Sequence, residues 1–148
     1  MIPDIGTQLM ESLAPRIDRL NTTAAPVVAE DIKGKMLVQS NESRGFGNDQ
    51  FKPTYSPRYV KRREKIGIKP PEKVTLRFKD RAIETAFVSV NREGAEIAFQ
   101  DKGDIFLYHH EGMGRNPVRS IFPKSNASVP NDTNDLAFSA AKAVLNGR

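Results

Sequence analysis

The chain contains no cysteine and only two histidines. Without thiols it can form no disulfide and no thiolate metal centre, and two imidazoles do not complete a structural zinc site. No metal and no cofactor are therefore expected, and the missing cysteines fit synthesis in a reducing compartment. No window approaches the roughly 18 consecutive apolar residues of a membrane-spanning helix. The first fifteen residues carry acids and lack the basic and apolar regions of a secretory signal. Apolar residues are also scarce, at 38%, while proline and glycine together number 20 of 148. A chain of this length and composition predicts one domain, residues 1–148, with long irregular segments around a modest core.

What the sequence has in quantity is positive charge in one place. Residues 58–81 hold ten Lys/Arg against three Asp/Glu, a local net of +7 that leaves the other 124 residues at −2. A concentrated basic stripe attracts phosphate or an acidic protein face, although a solvated loop also accounts for a single charge run.

Hydrophobic spacing predicts helix over residues 4–38 in two pieces. Ile5, Leu9, Leu13, Ile17 and Leu20 recur at intervals of three and four, with Asp4 placed to cap. Pro15 is expected to interrupt or kink this helix, and Asn21-Thr-Thr with Pro26 to break it before Val27, Val28, Ile32, Met36 and Leu37. Residues 39–72 have turn residues throughout and no clear period, which predicts a long extended arm, functional or ordered by a partner. Phe46, Phe51, Tyr55 and Tyr59 lie in it, and Tyr59–Lys65 suits a short basic helix. From Lys73 to Lys79 apolar and polar residues alternate as in a half-buried strand. Strands at roughly 83–91 and 94–100 follow, joined by Asn91-Arg-Glu-Gly94. Ile105–His110 reads as a last strand or a short helix. Asp132 or Asn134 is placed to cap a closing helix that Gly147 ends. The expected fold is α+β: a broken N-terminal helix, a long arm, a small antiparallel sheet of three or four strands, and a C-terminal helix. Val74, Leu76, Phe78, Phe87, Ile97 and Phe99 form the sheet side of the expected core.

Little here is suited to catalysis. His109-His110-Glu111 is the only cluster with acid–base capacity, but adjacent residues of a strand face opposite ways. No Gly-x-Ser-x-Gly element is present, and neither Gly45-Phe-Gly47 nor Gly112-Met-Gly114 matches a phosphate-binding loop. No catalytic residue is assigned. The residues suited to holding a partner are Phe46, Phe51, Tyr55, Tyr59, Lys61, Arg62, Arg63, Arg115, Pro117, Arg119 and Phe122. Aromatic side chains mixed with arginine anchor protein interfaces and also grip single-stranded nucleic acid, though RNA-module consensus sequences are absent. Gly112 and Gly114 allow a sharp turn, and Pro117 fixes the direction in which Arg119 and Phe122 are presented.

The order of these features resembles one family. The helical third leads to Gly47 and Phe51, then to Pro53, Tyr55-Ser56, Tyr59 and the Lys61-Arg62-Arg63 run. Val74-Thr-Leu-Arg-Phe78 follows, then Thr85 to Val88, Gly94 to Phe99, and His110-x-Gly112 with Pro117-x-Arg119-x-x-Phe122. This series is similar to the tail-completion, or virion-morphogenesis, proteins of tailed bacteriophages, over roughly residues 27–123. The chain departs from the pattern at Asp80-Arg81, where the family has glycine, in a shorter His–Gly spacing, and in Ile121 before Phe122. The resemblance implies a non-enzymatic structural protein made in the host cytoplasm and placed in the virion. It would form a homo-oligomeric ring in the neck, the head–tail connector region, between connector or portal-adaptor proteins and tail-terminator or tail-tube proteins. Proximity to genomic DNA is also implied, with no small-molecule substrate. The alternative of a different class is a basic nucleic-acid-binding accessory protein whose 58–81 segment grips phosphates.

Overall fold

The computed structural model describes residues 5–46, 49–52, 54–76, 82–100, 103–113, 117–125 and 128–147. The fold is α+β, with helices α1 (Ile5–Arg19), α2 (Ala25–Asn41), α3 (Pro57–Lys65), α4 (Gly103–Glu111) and α5 (Asn131–Leu145). Strands β1 (Ala86–Asn91) and β2 (Gly94–Phe99) pair as one hairpin. Packing divides the chain into two compact units. Residues 1–32, 88–97 and 130–148 make the first; residues 33–87 and 98–129 make the second.

In the first unit the expected break between helices is instead a π-helical turn, Leu20–Ala24, between α1 and α2. Its geometry is visible in the Ala25 N–H, which donates to the Leu20 carbonyl five residues back. The Thr22 hydroxyl donates to the Asp18 carbonyl at 2.7 Å, the local competition that bends a helix without ending it. Asn21 leaves the helix surface to donate from Nδ2 to the Arg92 carbonyl in the hairpin turn, at 2.8 Å. That turn is closed by the Asn91 side chain, which accepts from the Glu93 N–H at 2.8 Å.

α5 begins at Asn131, directly after Pro130 and ahead of both expected caps. Asp132 is in its first turn, where a carboxylate meets the positive end of the helix. Thr133 is fully buried, and its hydroxyl donates to the Asp31 carboxylate of α2 at 2.6 Å. Burial of apolar side chains is thin in this unit. Among its described apolar residues only Ala24 and Ala29 are buried, whereas Ile5, Leu9, Met10, Ile17, Val27, Val90, Phe138 and Leu145 are exposed.

The second unit holds the larger core: Met36, Phe46, Phe51, Val74, Ile83, Phe106 and Ile121 are buried. The segment expected to be an extended arm is folded here. α2 continues to Asn41, and an isolated antiparallel bridge pairs Arg44 with Gln50. The loop it closes buries Phe46 and Phe51, aromatic area that supplies the apolar content the arm lacked as a periodic pattern. Gly45 is required by close approach, since a Cβ there would sit 2.7 Å from the Ser120 carbonyl oxygen. The Phe46 N–H donates to that same carbonyl at 2.8 Å.

α3 follows, starting where Ser56 accepts a hydrogen bond from the Tyr59 N–H and Pro57 occupies the first turn. The alternating Lys73–Lys79 segment does not form the expected strand at its start. Residues 73–76 are irregular, with Leu76 at φ 55°, and Phe78 lies outside the described residues. Two strands, where three or four were expected, are present among the described residues. Phe87 was placed in the core by alternation but is 41% exposed. Ile105–His110 is helical, in α4, and the glycine turn ends a helix. Gly112 takes φ 71°, and the Met113 N–H donates to the Tyr108 carbonyl, a left-handed cap that glycine adopts freely.

Candidate functional site

The second unit gathers the aromatic and cationic residues singled out in the sequence around one ring, that of Tyr55. The Tyr59 ring meets it edge-on at 4.8 Å between centroids. The Arg63 guanidinium lies 4.4 Å from the Tyr55 centroid and that of Arg119 lies 5.7 Å from it. Cations over an aromatic face are held by the ring quadrupole, most strongly where water is excluded. Arg63 is 0% exposed, and its Nη1 donates to the Lys73 carbonyl at 2.7 Å, with Nη2 3.4 Å from the Thr75 hydroxyl. Burial raises the Tyr59 phenol pKa, reinforced by Tyr55 and opposed by the nearby arginines.

Arg119 is also buried. Its backbone N–H donates to the His109 carbonyl at 2.7 Å and its Nη1 lies 3.0 Å from His109 Nδ1. Guanidinium has no acceptor, so Nδ1 accepts and the imidazole is the neutral form protonated at Nε2. Burial first, then the Arg119 charge, lowers the His109 pKa. On the next helical position His110 faces Phe122, accepting from its N–H at 3.4 Å and meeting its ring at 5.5 Å. Phe122 also contacts Phe99 edge-on at 6.1 Å.

These positions correct the expectation of a presented turn. Phe46, Phe51, Arg63 and Arg119 are buried, while Tyr55, Tyr59 and Phe122 are half-buried against their own unit. The reason is that the interior of this unit combines aliphatic side chains with aromatic rings and the flat guanidinium groups that pack on them. Pro117 is half-buried, and Arg115 lies outside the described residues. Of the described residues among those singled out, Lys61 and Arg62 alone are exposed.

Those two belong to the solvent face of α3, together with Arg58 and Lys65, which the choice of site residues omitted. Ser56, Arg58, Tyr59, Lys61, Arg62 and Lys65 line a concavity of about 600 Å³. Positions 58, 61, 62 and 65 recur at i, i+3, i+4 and i+7, which puts them on about a 100° arc of the helix. That spacing was readable in the sequence once the helix was recognised. Among the described residues no group of three or more His, Asp or Glu side chains is placed to hold a metal ion, and no helix is long and apolar enough to cross a membrane.

No protein-family model, curated protein or solved structure matches this chain.

Acid sensitivity follows from the Arg119–His109 contact. Folding depresses the His109 and His110 pKa values, so below the ordinary value of about 6.5 the unfolded chain binds more protons than the folded one. The stability that neutral imidazole contributes is present above that value and is lost as pH falls from it toward the depressed folded values. The melting temperature should therefore drop between about pH 7.5 and about pH 5.5. His109→Gln, which keeps an acceptor but cannot titrate, should flatten this slope in part; an unchanged slope would exclude His109 as its source.

Proposed function

We propose that this chain is a structural, non-enzymatic subunit of a tailed-phage virion, assembling into an oligomeric ring in the neck where head and tail join. The observation that carries the assembly reading is that the first unit, among its described residues, buries only Ala24 and Ala29 of its apolar side chains. α1 has no buried residue, although its sequence is amphipathic, and Ile5 at its start is 82% exposed. On α5 Phe138 is 73% exposed. Apolar surface left this open on a folded unit marks an interaction site. The second unit also exposes apolar side chains, Ile105, Leu107, Tyr108, Met113 and Val118.

Two dissimilar sticky surfaces suit head-to-tail association, which closes into a ring when the rotation closes. Charge supports the same arrangement. The first unit has five Lys/Arg against nine Asp/Glu, a net of −4, and the second has eighteen against nine, a net of +9. Opposite charges on the two units favour contact between the first unit of one copy and the second of the next. The virion setting and the neighbours, connector and tail-terminator proteins, rest on the ordered motifs from Phe51 to Phe122.

Sedimentation velocity on the full chain tests the assembly reading. The parent should associate as concentration rises. Leu9→Glu with Phe138→Glu should weaken association by about 30-fold or more, the loss of an anchor contributing roughly 2 kcal/mol. Both side chains are exposed, so the melting temperature should stay within a few degrees. A parent that stays monomeric at every concentration, or a variant that associates like the parent, contradicts the assembly reading.

A further inference from the structure

We infer that the solvent face of α3 is a docking surface for the phosphate backbone of double-stranded DNA. Arg58, Lys61, Arg62 and Lys65 are exposed and share one concavity, and among the described residues no carboxylate lines it. Glu64 falls outside their arc, by about 100° from its centre at 100° per residue. The four cations extend over about 10 Å of helix axis, at 1.5 Å per residue, a length matched to successive phosphates. The fully buried Arg63 guanidinium lies beneath the same helix, and its hydrogen bonds go to a backbone carbonyl and a hydroxyl, both neutral. Its charge therefore adds to the positive potential above α3, less screened than a surface charge.

The surface chemistry separates this partner from two others. Protein interfaces are depleted of charge at their centre and anchored by aromatic or aliphatic groups. Among the described residues the α3 concavity has no aliphatic side chain in its lining, and the aromatic there, Tyr59, is half-buried against Tyr55. Single-stranded nucleic acid needs open aromatic faces on which bases stack. Tyr55 is covered by Arg63, and both Tyr55 and Tyr59 are half-buried and packed against each other, which leaves little stacking area for bases. A row of cations without an open stacking platform fits the duplex backbone, and contacts to phosphates alone carry no sequence preference. The inference stands on α3 alone, and neither its success nor its failure decides whether the chain assembles.

Fluorescence anisotropy of the full chain with a labelled DNA duplex provides the test. Affinity should fall steeply with salt, with a log–log slope of about −3.6 for four phosphate contacts, or roughly a hundredfold between about 50 mM and about 200 mM. Replacing all four residues (Arg58→Gln, Lys61→Gln, Arg62→Gln, Lys65→Gln) should remove most of that slope while leaving circular dichroism unchanged. The double variant Arg58→Gln with Lys61→Gln should remove about half of it, and serves if the fourfold variant fails to fold. Single strand of the same length and polyglutamate should bind more weakly than the duplex. Tighter binding of single strand, equal binding of polyglutamate, no duplex binding at low salt, or parent-like binding by a folded variant would each overturn the assignment; the second would point to an acidic protein face.

Discussion

Replacing Arg63 with alanine is expected to lower the melting temperature by roughly 10 °C, a loss of about 3 kcal/mol in a chain of this size. The side chain is 0% exposed, donates to the Lys73 carbonyl at 2.7 Å and covers the Tyr55 ring. Alanine leaves a cavity, an unpaired buried carbonyl and an uncovered ring. Arg63→Met separates these effects, because it refills the volume but cannot donate. A buried charge is costly to keep, and among the described residues Arg63 Nε has no hydrogen-bond partner. Methionine should therefore cost less than alanine, with the unpaired Lys73 carbonyl as the main remaining penalty. Thermal melts of the two variants decide it. An alanine variant that melts within about 2 °C of the parent would mean that Arg63 faces water. α3 would then be rotated, and the arc of Arg58, Lys61, Arg62 and Lys65 would not be its solvent face.

Phe106→Ala should be comparably damaging, at about 3–5 kcal/mol. Phe106 is 2% exposed and stacks on Phe99 with centroids 4.5 Å apart, joining α4 to the end of β2 within the second unit. Removing the ring deletes both its buried area and the stacking contact. Phe87→Ala on β1 is the matched control, since that ring is exposed and its loss should fall within about 0.5 kcal/mol. Strand alternation alone ranks the two residues the other way, with Phe87 in the core. Chemical denaturation of both variants separates the alternatives. A larger loss for Phe87 would show that the hairpin is registered with its opposite face inward.

The contrast between those phenylalanines shows what local pattern reports. Period two located the hairpin, and Asn91 with Gly94 located its turn, because those signals depend on residues adjacent in sequence. Which face of β1 is covered depends on residues distant in sequence, which alternation does not encode. The helices α1 and α5 were legible for the same reason as the hairpin. The π turn was not, since Thr22 and Asn21 also read as breakers; their hydrogen bonds to Asp18 and Arg92 decide between ending a helix and widening it.

At the site, a short basic helix was legible as Tyr59–Lys65, two residues short of its start at Pro57. The inward turn of Arg63 and Arg119 was not. Arginine is expected at surfaces, and only the meeting of Tyr55, Lys73 and His109, distant in sequence, makes an interior position possible for it. Phe46 and Phe51 were misjudged for a related reason: a loop held by one bridge has no period by which buried residues reveal themselves.

The proposed place of this chain is the phage neck. Gold labelling of an epitope-tagged copy in purified particles, viewed by electron microscopy, tests it. The tag should purify with intact virions, with the gold at the junction between head and tail. Particles that lack the chain altogether, or gold confined to the capsid shell or the distal tail, would contradict it.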